Sequence, residues 1–148
     1  MPYEYQRDTF TITTNPETLD IDVIHSYLTR SYWNRGIPKE LVAQSIKHSL
    51  NFGLFDQGSQ IGFARVVTDY THFAYLCDVF VLESYQGQGL GSWLLECILA
   101  CPSLQGLRHF MLATADAHEF YRKFGFHELK GVERWMHKLS EWPWFRPE

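Results

Sequence analysis

Residues 73–92 restrict the fold of this chain more than any other stretch. Phe73 to Leu82 is mostly apolar and rich in β-formers, which predicts a central strand buried on both faces. It runs into Tyr85-Gln86-Gly87-Gln88-Gly89-Leu90-Gly91-Ser92, where three glycines fall within five residues. From Leu90 the apolar residues are Trp93, Leu94, Cys97, Ile98 and Cys101. Their spacings of three and one describe a helical stripe, and Pro102 ends it. A buried strand, a glycine loop and a helix in that order require a mixed α/β or α+β domain.

The flanking segments fill in the layers. Residues 3–14, ending in Phe10-Thr-Ile-Thr-Thr14, read as a first strand. Asp20 suits an N-cap for a helix carrying Ile21, Ile24, Leu28 and Tyr32, and Pro38 opens a second helix with Leu41, Val42, Ile46, Ser49 and Leu50. Phe52–Phe55 and Ile61–Thr68, joined by Asp56-Gln-Gly-Ser59, predict a hairpin. Phe110–Ala113 reads as a short strand, and Asp116–Lys123 as a short helix capped by Asp116. Phe126–Leu129 and Val132–Leu139 read as two last strands. The tail, Glu141–Glu148, is expected to fold back on the domain or on a second subunit, because Trp142 and Trp144 are too apolar for water.

At 148 residues the chain is expected to form one domain, 1–148. The formal charge of −4 argues against nucleic acid as a partner. No apolar run is long enough to span a bilayer as a helix, so no membrane partner is expected. Three cysteines (Cys77, Cys97, Cys101) and no visible secretory signal point to reduced thiols and a cytoplasmic location. Cys97 and Cys101 lack two further ligands nearby, so no metal is expected.

Glycines at the start of a helix let backbone amides converge on an anion, and the expected ligand of residues 86–92 is a phosphate or pyrophosphate. Two common phosphate loops are excluded by the letters. In G-x-G-x-x-G the sixth position from Gly87 is Ser92 and from Gly89 is Leu94. The Walker pattern needs a Lys that is not there. A packing-only turn and an unrelated nucleotide site remain as alternatives.

Gln86-x-x-Gly89-x-Gly91 resembles the Q/R-x-x-G-x-G/A motif of the GNAT superfamily of N-acetyltransferases. Asp78-Val-Phe-Val81 looks like that family's fourth strand, and Tyr121-Arg-Lys-Phe-Gly125-Phe126 like its Tyr-x-x-x-Gly-Phe segment. The resemblance spans about Phe73 to Phe126. It implies a twisted mixed sheet splayed between its fourth and fifth strands, with helices on both faces. It also implies acetyl-CoA or coenzyme A in that cleft. The pyrophosphate would rest on amides of Gln86, Gly87, Gln88, Gly89, Leu90, Gly91 and Ser92, and the pantetheine arm would pair with the backbone of Val79, Phe80 and Val81. Thr114 stands where many relatives carry an Asn that touches pantetheine. Arg122 and Lys123 are placed to reach the adenosine phosphates.

The implied reaction is direct acetyl transfer to an amine, small-molecule or peptide, in a ternary complex. A non-catalytic acyl-CoA sensor on the same fold is the alternative. Tyr121 matches the tyrosine that protonates the leaving sulfur. Asp78 stands out from the residues themselves, because a carboxylate inside an apolar strand is costly unless paired. It either faces the cleft, as base or amine anchor, or is a structural acid paired with a cation such as Arg65. Glu83, His72 and His118 are weaker candidates for a base. The aromatics Tyr32, Trp33, Trp135, Trp142 and Trp144 lie in regions that shape the acceptor, and a homodimer is left open.

Overall fold

A computed structural model describes residues 1–146; Pro147 and Glu148, the end of the expected tail, lie outside the described residues. Six strands form one sheet in sequence order: β1 Glu4–Arg7, β2 Phe10–Thr13, β3 Leu50–Asp56, β4 Ser59–Thr68, β5 Phe73–Val81 and β6 His109–Leu112. Neighbours are antiparallel except β5 and β6, which are parallel. A parallel pair needs a crossover, and α3, Leu90–Ala100, supplies it.

Helices cover both faces. On one, α1 (Ile21–Leu28) and α2 (Lys39–Lys47) bring Ile24, Leu28 and Val42 onto Phe63 and Phe80. Asp20 caps α1 as expected, its carboxylate accepting the N–H of Asp22 at 3.1 Å and of Val23 at 3.3 Å. On the other face α3 packs on Ile12, Leu54, Ala64, Val66 and Leu76. Every residue of its stripe, Leu90 to Cys101, is buried. The last helix, α4, covers His118–Arg122.

Four expectations are corrected. The first strand is a hairpin, split at Asp8, which turns with φ 56°; the expected fourth and fifth strands are therefore β5 and β6. The expected helices are shorter: the first ends at Leu28, well before Tyr32, and the second at Lys47, leaving Ser49 outside and Leu50 to open β3. No strand forms over 126–129 or 132–139; Val132–Arg134 is a single 3₁₀ turn after a left-handed Gly131. The apolar residues there, Val132, Trp135, Met136 and Leu139, follow a spacing of three, one and three, which no strand can place on one face. Finally, α4 starts after Ala117, and Asp116 does not cap it.

Candidate active site

The site forms where the sheet comes apart. β5 and β6 pair only from Phe73↔His109 to Leu76↔Leu112. Beyond that point Cys77–Val81 keeps β4 on one side and has no strand on the other. The exposed edge offers backbone groups to an extended ligand. One is already engaged, since Gln86 Nε2 donates to the Val81 carbonyl at 2.8 Å. Val79 is half-buried against the α3 core, while the Phe80 ring stacks on Tyr27 at 4.1 Å in the other core.

A bulge accompanies the parting. Phe63 pairs with Phe80 and Arg65 with Cys77, so β5 carries one residue more than β4. Asp78 takes the strain, with φ 56°, a conformation costing a non-glycine residue about 1–3 kcal/mol. Its carboxylate offsets that cost. Oδ1 accepts Trp33 Nε1 and Asn34 Nδ2, both at 3.0 Å, and Oδ2 accepts Arg65 Nε at 2.8 Å. The side chain is 4% exposed, against 17% for Arg65. Of the two readings of Asp78, the ion pair with Arg65 is the one present. Asn34 carried no sequence signal, because its role depends on the α1–α2 connection folding over the bulge.

That connection also crosses the cleft. Tyr32 Oη accepts the Ala115 N–H at 3.1 Å, in the loop between β6 and α4. Residues 32–34 thus tie the β5 wall to the β6 wall. Thr114 braces the same loop, its Oγ1 accepting the Ala117 N–H at 3.1 Å.

The glycine loop borders a cavity of about 240 Å³, lined by Val81, Tyr85, Gln86, Gly89, Ser92 and Phe120 among others. Gly87 and Gly89 turn with φ of 84° and 83°. Among the described residues, the amides of 87–92 find no acceptor, and the first to close a helical bond is Trp93, onto Gly89 at 3.1 Å. Orphan amides converging at a helix start are suited to a phosphate, so the loop fits a pyrophosphate. The Gln88 side chain stays within the loop, on the Tyr85 carbonyl at 3.1 Å, and Leu90 is core.

Tyr121 stands on the other side of α4 from this loop. Phe120 lines the loop cavity, while Tyr121 lines a larger one of about 570 Å³ along β6, with Phe110, Leu112, Thr114, His118 and Phe126. Burial pushes the Tyr121 phenol up to about 12, with Tyr32 nearby adding to it. Cys77, the first β5 residue beyond the pairing with β6, has its thiol pushed up to about 12, again by burial.

Other expected groups are committed elsewhere. Glu83 pairs with Arg30 at 2.7 Å and is held down at about 2 by it. Arg122 holds Glu119 and Glu128 rather than facing the loop. His72 sits in an exposed turn against Asp69. Among the described residues no cluster suits a metal ion, and no helix is long and apolar enough to cross a membrane.

Comparison with known proteins agrees with this geometry. The sequence profile described as the acetyltransferase (GNAT) domain matches residues 47–128. A GNAT-family protein from Xanthomonas campestris pv. campestris is 42% identical, with a TM-score of 0.87 over 91% of this chain and 96% of that one. An acetyltransferase-like protein of Gibberella zeae is 29% identical across 88% of this chain and 90% of its own length. A GNAT acetyltransferase of Elizabethkingia anophelis, solved with acetyl-CoA bound, shares the fold at 19% identity, with a TM-score of 0.64 over 82% of this chain and 78% of that one. The profile begins at the last residue of α2 and runs past α4, so it contains the bulge, the glycine loop and Tyr121. By that match, over more than half its length, the chain belongs to the GNAT family of acetyltransferases.

Proposed function

We propose that this chain transfers an acetyl group from acetyl-CoA directly to an amine, both substrates being held in the cleft between β5 and β6. The observation that carries the reading is the parting of those strands after Leu76 and Leu112, with unsatisfied loop amides on one wall and Tyr121 on the other. Bound there, acetyl-CoA supplies the activated thioester carbonyl. The loop amides of residues 86–92 hold its pyrophosphate, and the free edge of Val79–Val81 orients its pantetheine arm. Thr114 keeps a hydroxyl proton to donate toward that arm.

Tyr121 gives the proton that the leaving sulfur needs. Against a free thiol at about 8.5, transfer from a phenol at about 12 is uphill by roughly 5 kcal/mol. The environment narrows that gap. Burial raises the Cys77 thiol of β5 to about 12, and a cofactor thiolate buried in the cleft is shifted in the same direction.

A free alkylamine is only about one part in 10³ neutral at pH 7, so a base is useful. Asp78 acts as a positioning residue in this reading, since three donors occupy its oxygens. Glu83 is tied to Arg30. His118, on the cavity wall beside Tyr121, takes the amine's proton. The acceptor in this reading is a small-molecule amine or the end of a peptide.

A thermal melt with acetyl-CoA, CoA, NAD or ATP tests the cofactor. A ligand at about 100 times its Kd adds roughly 2.7 kcal/mol, which raises Tm by about 2–8 °C. A shift with acetyl-CoA and CoA alone, followed by turnover with an amine panel, is the expected result. No shift with either ligand at saturation overturns the reading. Binding without turnover supports a sensor instead.

A further inference from the structure

One cation beside the glycine loop is used by none of the above. Arg7 is the last residue of β1, a strand whose Tyr5 packs on the core that α3 shares. Its guanidinium sits over the Trp93 ring, 5.0 Å from the centroid. A methyl group placed on Gly89 would be 3.8 Å from Arg7 Nη2. Arg30, Arg65 and Arg122 each hold a carboxylate. Among the described residues Arg7 holds none, and it is exposed.

The placement is built into the fold. Arg7 pairs with Phe10 across the hairpin, and the Phe10 ring meets Tyr85 edge-on at 6.4 Å. Tyr85 Oη in turn donates to Asp56 Oδ2 at 3.1 Å, and Asp56 is paired with Phe10. The hairpin and the glycine loop are therefore tied together through Phe10, Tyr85 and Asp56. The two glycines of the motif face opposite flanks. A methyl on Gly91 would meet Phe120, on the cavity side, whereas one on Gly89 would meet Arg7. The pyrophosphate site and Arg7 thus lie on either side of the loop.

We propose that Arg7 binds the 3′-phosphate of coenzyme A, and so selects the cofactor by its ribose phosphate. The proposal rests on the acetyl-CoA reading given above. The chemistry is a guanidinium with free donors in a fixed fork, suited to a phosphate monoester. The Trp93 indole beneath the guanidinium restrains it, which lowers the entropy lost on binding. The loop amides take the diphosphate, and Arg7 takes the phosphate that emerges over the loop on the other flank.

The test is calorimetric binding of CoA and of 3′-dephospho-CoA to the wild type and to Arg7→Gln, at low and high salt. The wild type is expected to bind CoA about tenfold more tightly than the dephospho form, the scale of one exposed charge-assisted contact. Arg7→Gln should bind the two alike, with the dephospho affinity unchanged. Raising salt should shrink the wild-type preference. Arg7→Lys should retain part of it. Arg7 is exposed on an edge strand, and a ligand-free Tm within a degree or two of wild type verifies folding. Equal wild-type affinities, or a preference that survives in Arg7→Gln, overturn the assignment of Arg7 while leaving the cofactor reading intact. Failure of the wild type to bind either ligand overturns both.

Discussion

Replacing Tyr121 by Phe removes one hydroxyl and leaves the edge-on ring contacts with Phe120 and Phe126. Turnover should fall at least tenfold, while CoA affinity, read by calorimetry, holds. The phenol stays protonated up to about 12, so no loss of kcat between pH 7 and 10 should trace to it. The sign for stability follows from the same burial. The folded pKa lies above the ordinary value of 10.0, so the folded state binds the proton more tightly. The stability contributed is complete below pH 10 and is lost as pH rises toward 12. His118→Gln should also lower kcat, with the gap from wild type closing as pH rises and the amine sheds its own proton. Asp78 makes a contrasting case. Asp78→Ala leaves the Arg65 guanidinium, 17% exposed, without its carboxylate, and should cost about 3 kcal/mol. In Asp78→Asn, judged on folded protein, kcat within about fivefold of wild type supports the positioning role, whereas a drop of the size expected for Tyr121→Phe restores it as a base.

At the scale of elements, the glycine loop separates two roles that its letters blur. Gly89 turns with φ 83°, so Gly89→Ala should cost roughly 1–2 kcal/mol and weaken CoA binding as the amides shift. Gly91 has no positive φ, and its methyl would meet only Phe120 at an ordinary 3.8 Å. Gly91→Ala should therefore leave Tm unchanged and the CoA Kd within about threefold, in keeping with a motif that accepts Gly or Ala there. Calorimetry on the two variants checks both.

The same contrast explains what the sequence could tell. The stripe from Leu90 to Cys101 and the apolar run from Phe73 were readable because burial imposes a period on them. The ion pair of Asp78 with Arg65 was readable as one of two options, because an isolated carboxylate in a strand demands a partner. Its other partners, Trp33 and Asn34, were not, since a contact across 44 or 45 residues leaves no local trace. Arg7 was hidden for a similar reason. A four-residue strand at the edge has too little pattern to show which face it turns to α3. The segment 132–139 misled because its apolar residues lack the alternation that a strand requires.

For the whole molecule, the sheet is one continuous antiparallel meander with a single parallel addition. β3 and β4 share seven paired positions and β4 and β5 six, while β6 is held by four. Tyr121 and Thr114 depend on that last, short seam. Free energy of local opening scales with such tethering. In hydrogen–deuterium exchange the amides of β6 and α4 should therefore trade their protons through a sub-global fluctuation, well before those of β4. Acetyl-CoA, bridging β5 to α4, would act as a clasp on that fluctuation. Its arrival should slow exchange most in residues 109–122, the walls that the cofactor would fasten to β5.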